Sequence, residues 1–207
     1  MVGLMDKKSL FPEGISRYNV VLASVSPRRR ELMEMLGLDF EVYSLKNADE
    51  SYSETMDAEE VPEYLSRKKA AAYLSERMRQ GDLAVTSDTV VIVDNEVLGK
   101  PKDEADAYRM LKLLSGRTHK VVTGVAVTDG KRVDSTRSVT TVEFSELSEE
   151  EIRYYIERYR PLDKAGAYGI QEWIGCIGIK RIEGSFYNVM GLPVHVLYNL
   201  LKEFLKK

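Results

Sequence analysis

Two apolar, β-branched runs, Lys120–Val127 and Arg132–Phe144, meet at Asp129-Gly130, and this pattern constrains the fold more than any other. Turn chemistry of that kind between two strand-like runs specifies an antiparallel hairpin. Elsewhere, short strand patterns alternate with amphipathic helix patterns, the order that builds parallel β-α-β units. A hairpin set into such an alternation predicts the α/β class, with a mixed twisted sheet and flanking helices.

The individual elements follow from local signals. Asn19–Ser24 reads as a short buried strand. Ser26 as N-cap and Pro27 in the first turn start a helix to Leu36 that presents Leu32, Met35 and Leu36, with Gly37 just past its end. Phe40–Tyr43 is a strand, followed by an acidic, polar loop through Asp57. Val61–Met78 is a long helix with Val61, Leu65, Lys69 and Ala72 on one face. Leu83–Val93 is a strand interrupted by Thr86, Ser87, Asp88 and Thr89, and Asp94-Asn95 is a turn. Asp103 caps a helix to Leu114, and Ser148 with Glu151 forms a capping box for a helix through Tyr159. A strand is expected over Ile174–Ile182, and Gly184–Val189 as a structural loop. Pro193 opens a last helix with Val194, Leu197, Leu201 and Phe204 inward. With no repeat or linker in sight, residues 19–207 are expected to form one domain behind an N-terminal extension, residues 1–18.

Charge and cysteine usage narrow the function. The net charge is −3, without the basic stripe of a nucleic-acid binder. Cys176 is the only cysteine, which excludes an intrachain disulfide and a thiolate metal cluster and suits a reducing compartment. The N-terminal residues lack the unbroken apolar core of a signal peptide, and no stretch approaches a membrane span. A cytoplasmic protein with neither nucleic acid nor membrane as partner is expected.

Several residues are poorly explained by folding alone. Arg28, Arg29 and Arg30 occupy the first turn of a helix, where the positive end of the dipole disfavours cations by about 0.3–1 kcal/mol each. They are either a solvated patch paired with Glu31 or Glu34, or part of an anion site completed by backbone N–H groups and the hydroxyls of Ser24 and Ser26. Position after a buried strand favours the anion site. Asp88 lies among β-branched apolar residues, where a carboxylate needs a cation or hydrogen bonds. Its roles could be metal ligand, general base for a water, or both; an isolated strand aspartate more often just bonds local hydroxyls and backbone. Lys69 shares an apolar helix face, and Lys100 is held extended by Pro101. Each can snorkel to water or neutralise phosphate oxygens in a cleft. In Asp163–Glu172, small residues admit a planar ligand and Gln171 offers a donor and an acceptor to a base edge, although packing alone would explain the stretch equally well. His119 and His195 read as packed or solvated histidines.

Taken together, LASVSPRRRELMEMLGLDFEV, LSRKKAAAYL, SDTVVIVDNEVLGKPKDEADAYRMLKLLSGRTHKVVTGVAV, DKAGAYGIQEWIG and IEGSFYNVMGLPV resemble the Maf family of nucleoside triphosphate pyrophosphatases. The matching stretches keep the family's order and cover nearly the whole chain from Val20 onward. The resemblance implies an inosine-triphosphatase-like fold of two lobes about a central cleft. It also implies hydrolysis between the α and β phosphates with a divalent cation, Mg²⁺ or Mn²⁺, and a homodimer in many members. Carried over by residue, Ser24, Arg28 and Arg29 match the phosphate-binding motif, and Asp88 matches the catalytic acid. Lys69 and Lys100 match two cleft lysines, and Glu50 matches an acidic residue near the metal. Arg28, Thr89 and the GAYGIQ stretch ending at Gln171 resemble the subgroup acting on dTTP and UTP. Ser87 and Glu172-Trp173 depart from the common pattern, in which a glycine follows the glutamine, and bear on base preference. The alternatives are the same hydrolysis on 7-methyl-GTP or another non-standard nucleotide, and a nucleotide-binding regulator of septum formation without turnover.

Overall fold

A computed structural model describes residues 14–206 of the chain. Its strands are β1 (Asn19–Leu22), β2 (Glu41–Val42), β3 (Asp82–Val93), β4 (Glu96–Leu98), β5 (Thr118–Thr128), β6 (Val133–Phe144) and β7 (Ile179–Glu183). They form one mixed sheet in the order β2-β1-β3-β5-β6-β7, with β4 folded back onto β3. β1 runs parallel to both of its neighbours; the β3–β5, β5–β6 and β6–β7 pairs are antiparallel. The expected mixed α/β class and the long hairpin are both present. Asp94 and Asn95 adopt φ of 49° and 64°, as the two-residue turn between β3 and β4 requires.

The helices are α1 (Pro27–Met35), α2 (Val61–Glu76), α3 (Glu104–Leu114), α4 (Glu149–Tyr159), α5 (Trp173–Gly178), α6 (Phe186–Met190) and α7 (Val194–Lys206). α2 covers one face of the sheet. Its Val61 and Leu65 pack on Val90, Ile92 and Val122, and its Tyr73 packs on Val21, Ala23 and Ala84. On the opposite face, Leu32, Leu111, Ile152, Leu197 and Phe204 from α1, α3, α4 and α7 meet Val85, Val91, Val125 and Phe144 in the main core. Among the described residues, no helix is long and apolar enough to cross a membrane. Of the N-terminal extension, residues 1–13 lie outside the described residues; Ile15 is buried in the main core.

Four local expectations need correction. β3 is unbroken, because β5 pairs with it in register from Ala84 to Ile92 and main-chain pairing is indifferent to the polar side chains of Thr86–Thr89. The run from Ile174 is helical as far as Gly178 and becomes strand only at Ile179; a short apolar run fits either period, and the Gly175 N–H bonded to Glu172 O begins a helical turn. Met35 is exposed while Leu32 and Met33 are buried, so α1 meets the sheet on a face rotated from the one expected. Gly184–Val189 is no simple loop, for Ser185 caps α6. Its fully buried Asn188 donates to Val121 O and Thr140 Oγ1.

His119 gives the fold an acid sensitivity. It is 2% exposed, with Nε2 against Tyr168 Oη at 2.8 Å and Nδ1 without a hydrogen-bond partner among the described residues. Burial pushes its pKa down to about 4, so the unfolded chain takes up the proton first. Stability from this group is therefore complete above pH of about 6.5 and drains as pH falls towards 4, by roughly 3 kcal/mol. Urea unfolding midpoints at pH 4.5 and 7 should differ less in His119→Phe than in the parent protein. Equal differences in the two would refute this account.

Candidate active site

β1 ends at Leu22, opposite Val85, and β4 begins to pair with β3 only at Val91. Between them, among the described residues, one edge of β3 lacks a strand neighbour over residues 86–90. Asp88 and Thr89 point to opposite faces of the sheet, as successive strand residues must, yet both border this opening. A cavity of about 310 Å³ occupies it, at the lower end of the range for ligand sites.

On the α2 side, the helix lays an apolar stripe along β3 with one polar step. Val61 and Leu65 precede Lys69 at intervals of four, and Tyr73 follows. Lys69 Nζ donates to Asp88 Oδ1 and lies 2.9 Å from Glu50 Oε1. The Lys69 and Asp88 side chains are only 12% and 13% exposed. Replacing such a pair by apolar residues often costs a protein no stability, so the pair points to chemistry rather than to folding. The hydrogen bond from Lys69 holds the Glu50 carboxyl below its ordinary value against the pull of partial burial, with the charges of Lys69, Lys100 and Arg29 assisting. Glu50 is presented by a loop whose neighbours Asp49 and Ser51 are both bonded to Lys68.

On the other side, α1 points its first turn at the opening. The Ser26 N–H donates to Ser24 Oγ at 3.3 Å. Arg28 Nη1 donates to Asp163 Oδ2 at 2.6 Å and Nη2 to Asp163 O at 3.2 Å. Burial raises the Asp163 carboxyl, but hydrogen bonds from Lys164 and Arg28 outweigh it and hold it at about 2. Arg29 donates from Nε to Gly191 O, from Nη1 to Ser87 O and from Nη2 to Thr89 Oγ1. Burial lowers its pKa and the charge of Asp88 opposes that shift. Two of its five N–H groups thus brace β3 at its open edge and a third ties Gly191 to it, which leaves two further donors. Thr89 Oγ1 also meets Thr123 Oγ1 at 3.0 Å.

Ser24, Arg28, Arg29, Glu50, Lys69, Asp88, Thr89, Lys100 and Gln171 all line this one cavity. Arg30, singled out with Arg28 and Arg29, is not among them: it is exposed and donates to Glu34 Oε1 at 2.9 Å. Lys100 is exposed at the rim and forms no ion pair among the described residues. Trp173 packs edge-on against Tyr154 with ring centroids 4.9 Å apart, outside the cavity lining. Two features escaped sequence reasoning. One is the chain of charges that runs from Asp163 and Lys164 in the cavity wall to Glu172. The other is Gly124, opposite Asp88 in the β3–β5 register; a lone glycine in a valine-rich strand was the available signal of close backbone approach.

The donor set suits a hard divalent cation. Asp88 and Glu50 converge on one ammonium group, so positive charge is already favoured at that point. Among the described residues no three His, Cys, Asp or Glu side chains surround a common centre. Mg²⁺ commonly takes one or two carboxylates and completes its shell with phosphate oxygens and water.

The family model described as Maf-like protein matches residues 19–204. A dTTP/UTP pyrophosphatase of Porphyromonas gingivalis is 55% identical over 193 residues, covering 93% of this chain and 97% of the relative. A dTTP/UTP pyrophosphatase of Bacteroides thetaiotaomicron is 53% identical over 189 residues, with 91% and 97% covered. A solved structure of a HAM1 protein from Coxiella burnetii superposes with a TM-score of 0.50 at 18% identity, over 90% of this chain and 99% of that one. That likeness establishes shared architecture alone.

Proposed function

The chain belongs to the Maf family, and we propose that it hydrolyses dTTP and UTP to the nucleoside monophosphate and pyrophosphate. The observation that carries this reading is the single cavity in which Asp88, Lys69 and Glu50 face Arg28, Arg29 and Lys100. A polyanion and a base-assisted hydrolysis require that juxtaposition, and a core has no use for it. The names of the relatives support the pyrimidine substrates.

In this reading Asp88 takes a proton from water, whose oxygen bonds to the α phosphorus as the bond to the bridging oxygen breaks and pyrophosphate leaves. Lys69, donating to Oδ1, holds the Asp88 carboxylate in orientation. Asp88 and Glu50 would hold Mg²⁺ or Mn²⁺, which when bound neutralises phosphate charge. Arg28, Lys100, the two spare N–H groups of Arg29 and the Ser24 hydroxyl receive the phosphate oxygens, together with the N-terminus of α1. Gln171, exposed at the cavity edge, reads the base by its amide. Thr89 assists from a hydroxyl already tied to Arg29 and Thr123.

Pyrophosphate release from a nucleotide panel with Mg²⁺ or Mn²⁺ tests the proposal. UTP and dTTP should exceed ATP, GTP and 7-methyl-GTP by about tenfold or more in kcat/KM, and a chelator should reduce turnover to background. A preference for 7-methyl-GTP, or turnover that survives chelation, would contradict it.

A further inference from the structure

Along the cavity wall a line of alternating charge runs from Arg28 through Asp163 and Lys164 to Glu172 outside the lining. Arg28 is bound to Asp163. Lys164 Nζ lies 2.8 Å from Asp163 Oδ1 and 3.1 Å from Glu172 Oε1. The Lys164 and Glu172 side chains are only 8% and 19% exposed. Tyr155 on α4, itself fully buried, donates its hydroxyl to Glu172 Oε2 and accepts the Gly169 N–H at 3.0 Å. The turn from Gly169 to Glu172 is closed by the Glu172 N–H bonded to Gly169 O at 3.0 Å. Gln171 sits within it. The turn is thus held at both ends by one hydroxyl–carboxylate pair. Packing there is close: a Cβ on Gly169 would lie 2.9 Å from the Glu172 carboxylate and 3.1 Å from Lys164 Cε.

A buried lysine between two carboxylates is a costly way to hold a loop, since each ion must be desolvated and two aliphatic side chains would serve the packing as well. What it adds is direction. The turn cannot slide without unpairing a buried charge, so the starting point of the Gln171 side chain is fixed.

We infer that Tyr155, Lys164 and Glu172 form a clamp that positions Gln171 to read the base. These are positioning residues, and the inference rests on the proposed function, in which Gln171 meets the base. Glu172 stands where the Maf resemblance more often has glycine.

Two readouts separate the clamp from the function it serves. In Glu172→Gln and Tyr155→Phe, amide hydrogen exchange over residues 169–172 should quicken about tenfold while β3 and β5 keep their protection. In steady-state kinetics, KM for UTP should rise about tenfold with kcat within about twofold. The same Glu172→Gln change in a Gln171→Ala background should leave KM where Gln171→Ala alone put it, because the clamp acts only through that side chain. Additive KM effects in the double variant, unchanged exchange at 169–172, or a loss confined to kcat would each overturn the clamp. A parent protein without turnover on any nucleotide would instead refute the proposed function, and exchange would then decide the clamp.

Discussion

Asp88→Asn is expected to lower kcat for UTP by about a hundredfold to ten-thousandfold, the range for losing a positioned general base, while the protein stays folded. Asparagine has nearly the same shape and keeps an oxygen to accept from Lys69, but it neither accepts a proton from water nor offers a full charge to a metal. Folding should survive because the Lys69 ammonium is not orphaned. Glu50 Oε1 lies 2.9 Å from the same nitrogen and retains its charge. KM for the nucleotide should change far less than kcat, since Arg28, Arg29 and Lys100 are untouched. Single-turnover pyrophosphate release and a thermal melt make the comparison. A folded variant with turnover within a few-fold of the parent would remove Asp88 from the chemistry.

Gly124→Ala should produce the largest change in stability together with a loss of activity. A Cβ at this position would lie 2.2 Å from the Pro62 carbonyl oxygen, 2.3 Å from its carbon and 2.4 Å from the Glu63 nitrogen. All three are main-chain atoms, so no rotamer change relieves the clash and the first turn of α2 must move off the sheet. Overpacking commonly costs about 1–3 kcal/mol, and a backbone clash of this depth belongs at or above the top of that range. Because α2 also carries Lys69, its retreat should weaken the contact with Asp88 and depress turnover beyond what unfolding explains. Urea unfolding and turnover on the folded fraction measure the two effects. Gly99→Ala is the control for stability: nothing lies within 4 Å of the Cβ it would gain, and its midpoint should be close to the parent's. A stable, fully active Gly124→Ala protein would show that α2 can shift without consequence for the site.

Elements with a local chemical signature were legible in the sequence. Asp103 accepts from the Asp106 N–H, and the Ser148–Glu151 box forms as expected, because each cap needs only residues three apart. The start of α5 was not legible, since its apolar run carries no cap and Gly175 suits a turn, a strand kink or a helix equally. Convergence of the site residues came only from resemblance to known sequences, for no periodicity joins Glu50, Asp88 and Gln171. Arg29 is the clearest case of a role hidden from sequence. Its neighbours in the chain suggest an anion site, but its acceptors include groups 58 and 162 positions away, at Ser87 and Gly191, and two of its five donors steady the strand. The partnership of Arg28 with Asp163 spans 135 positions and is equally invisible to a local pattern.

The missing neighbour along residues 86–90 of β3 has a consequence for how the protein can vary. Main-chain groups in a strand alternate sides, and Val85 O is taken by the Ala23 N–H on the β1 side. The peptide groups of Ser87 and Thr89 therefore look the same way, into the opening, whereas those of Asp88 turn to β5. Ser87 O is occupied by Arg29; the N–H beside it belongs to the backbone and is present whatever side chain stands there. That donor is written in the polypeptide itself, and only proline, which lacks it, or a shift of the strand could change it.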